Sequence, residues 1–244
     1  MLQAALNGAR ARDEHPAIPH TPAELAEAAR GAVQAGAQVL HLHPYDETDA
    51  ETLAAEPCAA ALRAVRAACP GIPVSLSTSA AIEPDPRRRL ELIARWTALP
   101  ELVTANQGEP GIVELCEHLL GRGVGIEAGL LERADAAAFL RSGLTERCTR
   151  VLVEPLDASP AQAVAHAVDM ERLLADGGVR LEQVHHGEGI ASWAVNARAA
   201  RRGHGLRTGL EDTTVLPDGT SAPDNAALVH AAAALLADEA QAPD

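Results

Sequence analysis

Eight parallel strands alternating with eight helices, closed into a single (β/α)₈ barrel, is the fold this sequence predicts. Three observations point there. Short apolar runs alternate with longer, alanine-rich amphipathic stretches eight times along the chain. Its 244 residues match the size at which such barrels close as one domain. Polar residues recur on one parity at the carboxyl ends of the apolar runs, where a barrel opens its active face.

In chain order, the predicted strands are Leu2–Asn7, Gln38–His43, Pro73–Thr78, Leu102–Asn106, Val124–Glu127, Arg150–Pro155, Leu181–His186 and Leu206–Glu211. Helical sequence lies between them, and a final helix runs from about Asn225 to Ala240, with a short disordered tail expected from about residue 240. Thr21-Pro22-Ala23-Glu24 opens the first helix as a capping box with proline at the first helical position; Ser159-Pro160-Ala161-Gln162 repeats the pattern. Gly36, Gly71 and Gly123 fall between helix ends and the next strands, where a left-handed residue is wanted. An open doubly wound sheet is the competing fold. It needs a glycine-rich first turn, and Asn7-Gly8-Ala9-Arg10 does not supply G-x-G-x-x-G. No break in composition divides the chain, so residues 1–244 are expected to form one domain.

Aromatics are confined to Trp96, Trp193, Tyr45 and Phe139, so the core must be built from Ala, Val, Leu and Ile. A formal net charge of −14 argues against a nucleic-acid partner or an anionic membrane surface, either of which needs a basic face. All 20 basic residues are arginine. Without lysine there is no Schiff-base chemistry and no phosphate-loop lysine, so any carbon–carbon chemistry must use a metal or fixed donors. Cys58, Cys69, Cys116 and Cys148 show no C-x-x-C pair and read as small buried hydrophobes in a reducing compartment. The amino terminus shows no leader and no stretch approaches a membrane span, so a cytoplasmic location is expected.

The most informative motif is His41-Leu42-His43. A strand has a side-chain period of two, so both imidazoles share a face while Leu40 and Leu42 take the other. Other polar residues fall at equivalent places: Asn7, Ser75, Ser77, Thr104, Asn106, Glu127, Glu154, Arg207 and Glu211, with Asp212 just beyond. Seven strands agreeing argues for function, because a polar barrel mouth has a desolvation cost. Two imidazoles and a carboxylate with one position open describe a catalytic zinc site. Glu211 suits the third ligand as well as it suits a salt-bridged surface carboxylate. Arg207 can hold Asp212, or a substrate carboxylate, in a bidentate fork, leaving Asp212 as an ionised base. Of His185 and His186, at most one enters the barrel. His15, His20, His118, His166 and His230 read as surface or helix residues.

Several stretches resemble the β-keto acid cleavage enzymes, whose founding activity is 3-keto-5-aminohexanoate cleavage. The likeness runs through Asn7-Gly8-Ala9, Ile18 to Glu24, Ala35 to His43, Leu76-Ser77-Thr78, Val103 to Asn106, Ile126 to Gly129, and Arg207-Thr208-Gly209-Leu210-Glu211-Asp212. The resemblance implies a zinc-binding barrel, commonly a homotetramer or other homo-oligomer. Its reaction joins a β-keto acid to acetyl-CoA and yields acetoacetate and a new acyl-CoA. By the same resemblance His41, His43 and Glu211 hold Zn2+, and Arg207 and Asp212 form a dyad with the aspartate as base. Ser77, Thr104 and Glu127 orient substrate and handle the acyl group. Asn7, Arg10, Tyr45, Thr78 and Asn106 are expected to contact substrate. In this reading the metal polarises the ketone, and Asp212 generates a carbanion from acetyl-CoA that attacks it.

The chain departs from the family pattern at three places. Tyr45 stands where members often carry Arg. Arg10 replaces an acidic residue, which suggests a neutral or anionic substrate side chain. Glu154-Pro155-Leu156-Asp157 replaces a glycine-rich loop. Two rival functions are a zinc hydrolase using the same ligands to activate water, and a non-catalytic metal- or ligand-binding barrel.

Overall fold

A computed structural model describes residues 1–241. The strands are β1 (Leu2–Ala5), β2 (Val39–Leu42), β3 (Val74–Ser77), β4 (Leu102–Asn106), β5 (Gly125–Leu130), β6 (Arg150–Val153), β7 (Glu182–His185) and β8 (Gly205–Thr208). The helices are α1 (Pro22–Gln34), α2 (Ala55–Ala68), α3 (Pro86–Ala94), α4 (Ile112–Gly121), α5 (Arg133–Arg141), α6 (Pro160–Asp176), α7 (Ala191–Arg201) and α8 (Asn225–Gln241). Each strand pairs in parallel with the next, and β8 pairs back onto β1, so the sheet closes. The (β/α)₈ barrel expected from the sequence is the fold of this chain.

Register places every site strand with one parity inward. Gln3 aligns with Arg207 on one side and Val39 on the other, His41 with Ser75, and Thr104 with both Ser77 and Glu127. The opposite parity (Leu40, Leu42, Val74, Leu76, Val103, Ile126, Val151) is fully buried under the helices. Alternation of this kind commits the core and the site with the same residues, because shifting one strand by one position would exchange the two sets.

Helix entry follows local chemistry. Thr21 caps α1 as the predicted box, its hydroxyl accepting from the Glu24 N–H and the Glu24 carboxylate accepting from the Thr21 N–H. Ser159 differs: it precedes Pro160 at the start of α6 but makes no side-chain cap bond. Gly36, Gly71 and Gly123 have φ of 117°, 82° and 79°.

Most strands are shorter than the sequence predicts, ending at Ala5, Leu42, Val153, His185 and Thr208, while β5 runs on to Leu130. The reason is turn formation after the last ladder bond. Beyond β8 the Gly209 carbonyl accepts from the Asp212 and Thr213 N–H groups, and the chain curls back instead of extending. The expected terminal tail lies on residues 242–244, outside the described ones, apart from α8 reaching Gln241.

His15 and His20 are buried, contrary to the surface reading. His15 Nε2 lies 2.8 Å from the Ala222 carbonyl. His20 bridges Asp49 and the Arg10 carbonyl while stacking on Tyr45. Both hold the long β1–α1 loop against its neighbours, a tertiary demand the local sequence does not announce. The four cysteines are free and buried, and burial pushes the thiols of Cys58, Cys116 and Cys148 up to about 12. Among the described residues no helix is long and apolar enough to cross a membrane.

Candidate active site

At the carboxyl ends of the strands lies a cavity of about 340 Å³, lined by His41, His43, Arg207, Glu211 and Asp212 among others. His41 sits on β2, and His43 lies just past its end. Asn7 fixes the latter: its Oδ1 accepts the His43 N–H and its Nδ2 donates to the His43 carbonyl. The His41 Nε2 is 3.5 Å from Glu211 Oε2, and the His43 Nε2 is 3.5 Å from Glu211 Oε1. One donor atom from each of the three residues falls within 4.8 Å of the others. Glu211 Oε2 is buried without a hydrogen-bond partner.

The turn after β8 explains how neighbours Glu211 and Asp212 both face the site, which strand geometry would forbid. Two glycines make it fit. A Cβ on Gly209 would lie 1.9 Å from the Ala5 carbonyl oxygen, and one on Gly8 would lie 2.5 Å from Glu211 Cγ. Arg207, fully buried on β8, donates from Nη2 to Asp212 Oδ1 at 2.8 Å and to Glu211 Oε1 at 2.5 Å. Its Nε is 3.3 Å from both Asp212 oxygens. His186 completes the Asp212 surroundings, with Nδ1 3.4 Å from Asp212 Oδ1 and Nε2 3.3 Å from Glu154 Oε2. Oδ2 is therefore the less encumbered oxygen of Asp212.

Electrostatics sharpen the contrast between the two imidazoles. Burial pushes His41 down to about 3, only partly offset by Glu211. Burial also disfavours charge on His43, but Glu211 and then Glu51 outweigh it and raise that ring to about 9. Against burial, Arg207 holds both Glu211 and Asp212 ionised, below the usual carboxylate range. His186 is raised to about 9: burial and Arg207 oppose its charge, and Glu154 and Asp212 prevail.

A family model described as beta-keto acid cleavage enzyme matches residues 1–179 and again 156–243. The chain belongs to this family. A 3-keto-5-aminohexanoate cleavage enzyme from Fusobacterium nucleatum is 27% identical over 94% of this chain and 88% of its own length. A 3-oxoadipate:acetyl-CoA acetyltransferase from Cupriavidus necator is also 27% identical, over 96% of this chain and 87% of its own. Among solved structures, the ternary complex of ObcA with a C4-CoA adduct and oxalate superposes with a TM-score of 0.74 at 18% identity. That match covers 92% of this chain and 65% of ObcA, and it shows the shared fold.

Not every residue marked by the sequence reaches the cavity of this cleavage enzyme. Ser77, Thr104 and Asn106 line it with the three candidate ligands, Arg207 and Asp212. Glu127 is fully buried in the barrel interior, where it accepts from Gln3 Nε2 at 3.1 Å and from the Ser75 hydroxyl at 2.5 Å. Ser75 and Thr104 in turn stand 3.4 and 3.3 Å from His41 Nδ1, so Glu127 reaches the site only through hydroxyls.

Asn7, Arg10, Tyr45 and Thr78 are not among the lining residues. Asn7 and Thr78 are occupied by backbone: Asn7 by Pro19 and His43, and Thr78 by the Thr104 carbonyl at 2.7 Å. Tyr45 donates its hydroxyl to the Gly8 carbonyl. Arg10 donates to Glu14 and to the Glu211 carbonyl.

Two groups escaped the sequence reading. Glu51 accepts from His43 Nδ1 in a very short contact; the chain returns to it through the turn that Asp46 stabilises, with Tyr45 bridged to Glu51. The signal was a carboxylate following the histidine pair across an Asp-x-Thr turn. Gln3 had a signal too, namely a polar residue inside an apolar first strand.

Proposed function

We propose that this chain is a zinc-dependent β-keto acid cleavage enzyme that converts a β-keto acid and acetyl-CoA into acetoacetate and a new acyl-CoA. One observation carries the reading: Glu211 turns its partnerless Oε2 to the His41 Nε2 and its Oε1 to the His43 Nε2, beside an Arg207–Asp212 pair. A buried acceptor left bare is costly, and a cation held by His41, His43 and Glu211 satisfies it. Two nitrogens and one carboxylate oxygen with an open position suit Zn2+. When bound there, the metal supplies Lewis-acid polarisation of the keto acid's ketone.

The chain's own residues handle the proton. Atom balance decides which one. Acetoacetate carries the acetyl group on the carbon beside the carboxylate, so that carbon of the keto acid is the nucleophile. A carbanion from acetyl-CoA, the expectation from sequence, would yield a different thioester and release acetate. Asp212 therefore takes a proton from the keto acid's C2 through Oδ2, while Arg207 and His186 hold Oδ1. C2 attacks the thioester carbonyl, the CoA sulfur passes to the original ketone carbon, and the bond from C2 to that carbon breaks. Asp212 then returns its proton to C2. Ser77 and Thr104, on the cavity wall, offer hydroxyl donors to the oxygens that become charged. A cytoplasmic homo-oligomer belongs to the same reading.

The test is a degenerate exchange that needs no knowledge of the natural substrate. Acetyl-CoA labelled with ¹³C in its acetyl group is incubated with unlabelled acetoacetate. Label is expected in acetoacetate carbons 3 and 4, lost on chelation and restored by zinc. Exchange that persists in metal-free protein sinks the proposal. So does consumption of the keto acid without acetyl-CoA, which the water-activating hydrolase would show.

A further inference from the structure

The cavity wall is uneven, and from it we infer that the acyl tail of the β-keto acid is uncharged and aliphatic. The inference rests on the cleavage reading above. On one side, the loops after β3, β5 and β6 bring Ile82, Leu131 and Leu156 to the wall. Leu156 is 49% exposed, a large apolar side chain left at the rim. Such a surface gains by taking an alkyl chain out of water.

The charged lining offers no partner for an anionic tail. Arg207 is the one arginine among the described lining residues, and Asp212 and Glu211 already occupy it. Glu51 is taken by His43 and Glu154 by His186. Arg10, which the sequence links to a neutral or anionic tail, is spent on Glu14 and a backbone carbonyl. Beyond Leu131 and Leu156 the next cleft is lined by Glu109, Glu132, Asp135 and Asp157, which would repel a carboxylate.

An ammonium tail fares little better. Glu109 is engaged by Arg89 at 2.6 Å, Asp157 by His166 at 2.6 Å, and Asp135 by the N–H groups of Leu131 and Glu132. Glu188, exposed on the loop after β7, is the carboxylate of the main cavity not held in such a pair, and Glu132, exposed in the next cleft, is the other. Ile82, Leu131 and Leu156 are thus the specificity-determining residues.

Isothermal titration calorimetry on the zinc-loaded protein, without acetyl-CoA, reads this directly. Three straight-chain β-keto acids of equal length are compared, ending in methyl, carboxylate or ammonium. The methyl-ended acid is expected to bind at least about tenfold more tightly than either ion. Its affinity should rise roughly fourfold per added methylene until the chain outgrows the wall. Leu156→Arg, at an exposed position whose melting temperature reports folding, is expected to move the preference to the carboxylate-ended acid. A wild-type preference for the carboxylate end overturns the inference. A preference for the ammonium end that Glu188→Gln abolishes overturns it as well and makes Glu188 the counter-ion. Indifference among the three with label exchange intact removes the tail assignment and spares the cleavage reading; loss of both binding and exchange removes both.

Discussion

Two clusters in this molecule use the same residue types to opposite ends. At the barrel mouth, Glu211 and Asp212 meet Arg207 and three histidines. Behind β7 and β8, Glu171 meets Arg198, Arg202 and His204, with His185 stacked on His204 at 4.6 Å. The difference is saturation. Both Glu171 oxygens accept hydrogen bonds, Oε2 from Arg198 and Oε1 from Arg202, with His204 Nε2 3.3 Å from Oε1. At the mouth Glu211 Oε2 accepts no hydrogen bond. Arginine closes the Glu171 cluster into a packing clamp, and its scarcity leaves the barrel mouth open to a ligand. Residue composition alone does not make a site; unspent lone pairs that converge do.

Substitutions at matched positions test that contrast. The largest effect is expected from Asp212→Asn, which removes the base and should lower the label-exchange rate by about 10²–10⁴ while zinc content by elemental analysis stays at wild-type level. Loss of the metal instead would exchange the roles of ligand and base. Next comes Glu51→Gln, which deprives His43 of its anchoring carboxylate and should weaken zinc binding about 10–100-fold in a chelator competition. Glu171→Gln in the same assay should leave zinc affinity unchanged. If it did not, the two clusters would not be independent.

Stability should respond the other way. Removing the Glu171 charge strips its arginines of their partner and should cost about 2 kcal/mol by denaturant unfolding, whereas Glu51→Gln should cost less. The pH dependence follows. Burial disfavours the Glu171 carboxylate, but Arg198 and Arg202 outweigh it and lower the group from 4.5 to about 2. Its stabilisation is thus complete above the usual carboxylate range and is lost as pH falls from 4.5 towards 2. Burial likewise pushes His185 from 6.5 down to about 3, so the unfolded chain binds that proton first and stability drops across the same acidic direction. Thermal melts from neutral to acid pH should show both limbs, and Glu171→Gln should shrink the lower one, to which Glu24 also contributes. The smallest effect belongs to Arg10→Ala, which should leave keto-acid affinity within about twofold because its guanidinium bonds to Glu14 and the Glu211 carbonyl and does not line the cavity.

Much of the site was legible because the barrel is periodic. His41, Ser77, Thr104 and Arg207 each lie on a strand whose alternation declares an inward face, and register brings those faces together. Legibility failed where the chain leaves the strands. Tyr45 and Arg10 sit in loops, and nothing local reveals that a Gly8 carbonyl or a Glu14 carboxylate will claim them. Glu51 was hidden for the converse reason: it returns to His43 only because a turn folds back. His20 gave no sign of burial, since its partners Asp49 and the Arg10 carbonyl come from separate loops.

The chain by itself determined the closed barrel, the inward set of polar residues and the absence of any lysine amine, because a period of two and a missing residue type are properties of the string. Only the folded molecule decided which polar groups remain unspent. Whether a carboxylate oxygen meets an arginine or an empty space depends on distances between segments far apart in the chain, and hydrogen bonding falls off too steeply with distance for a sequence pattern to record it.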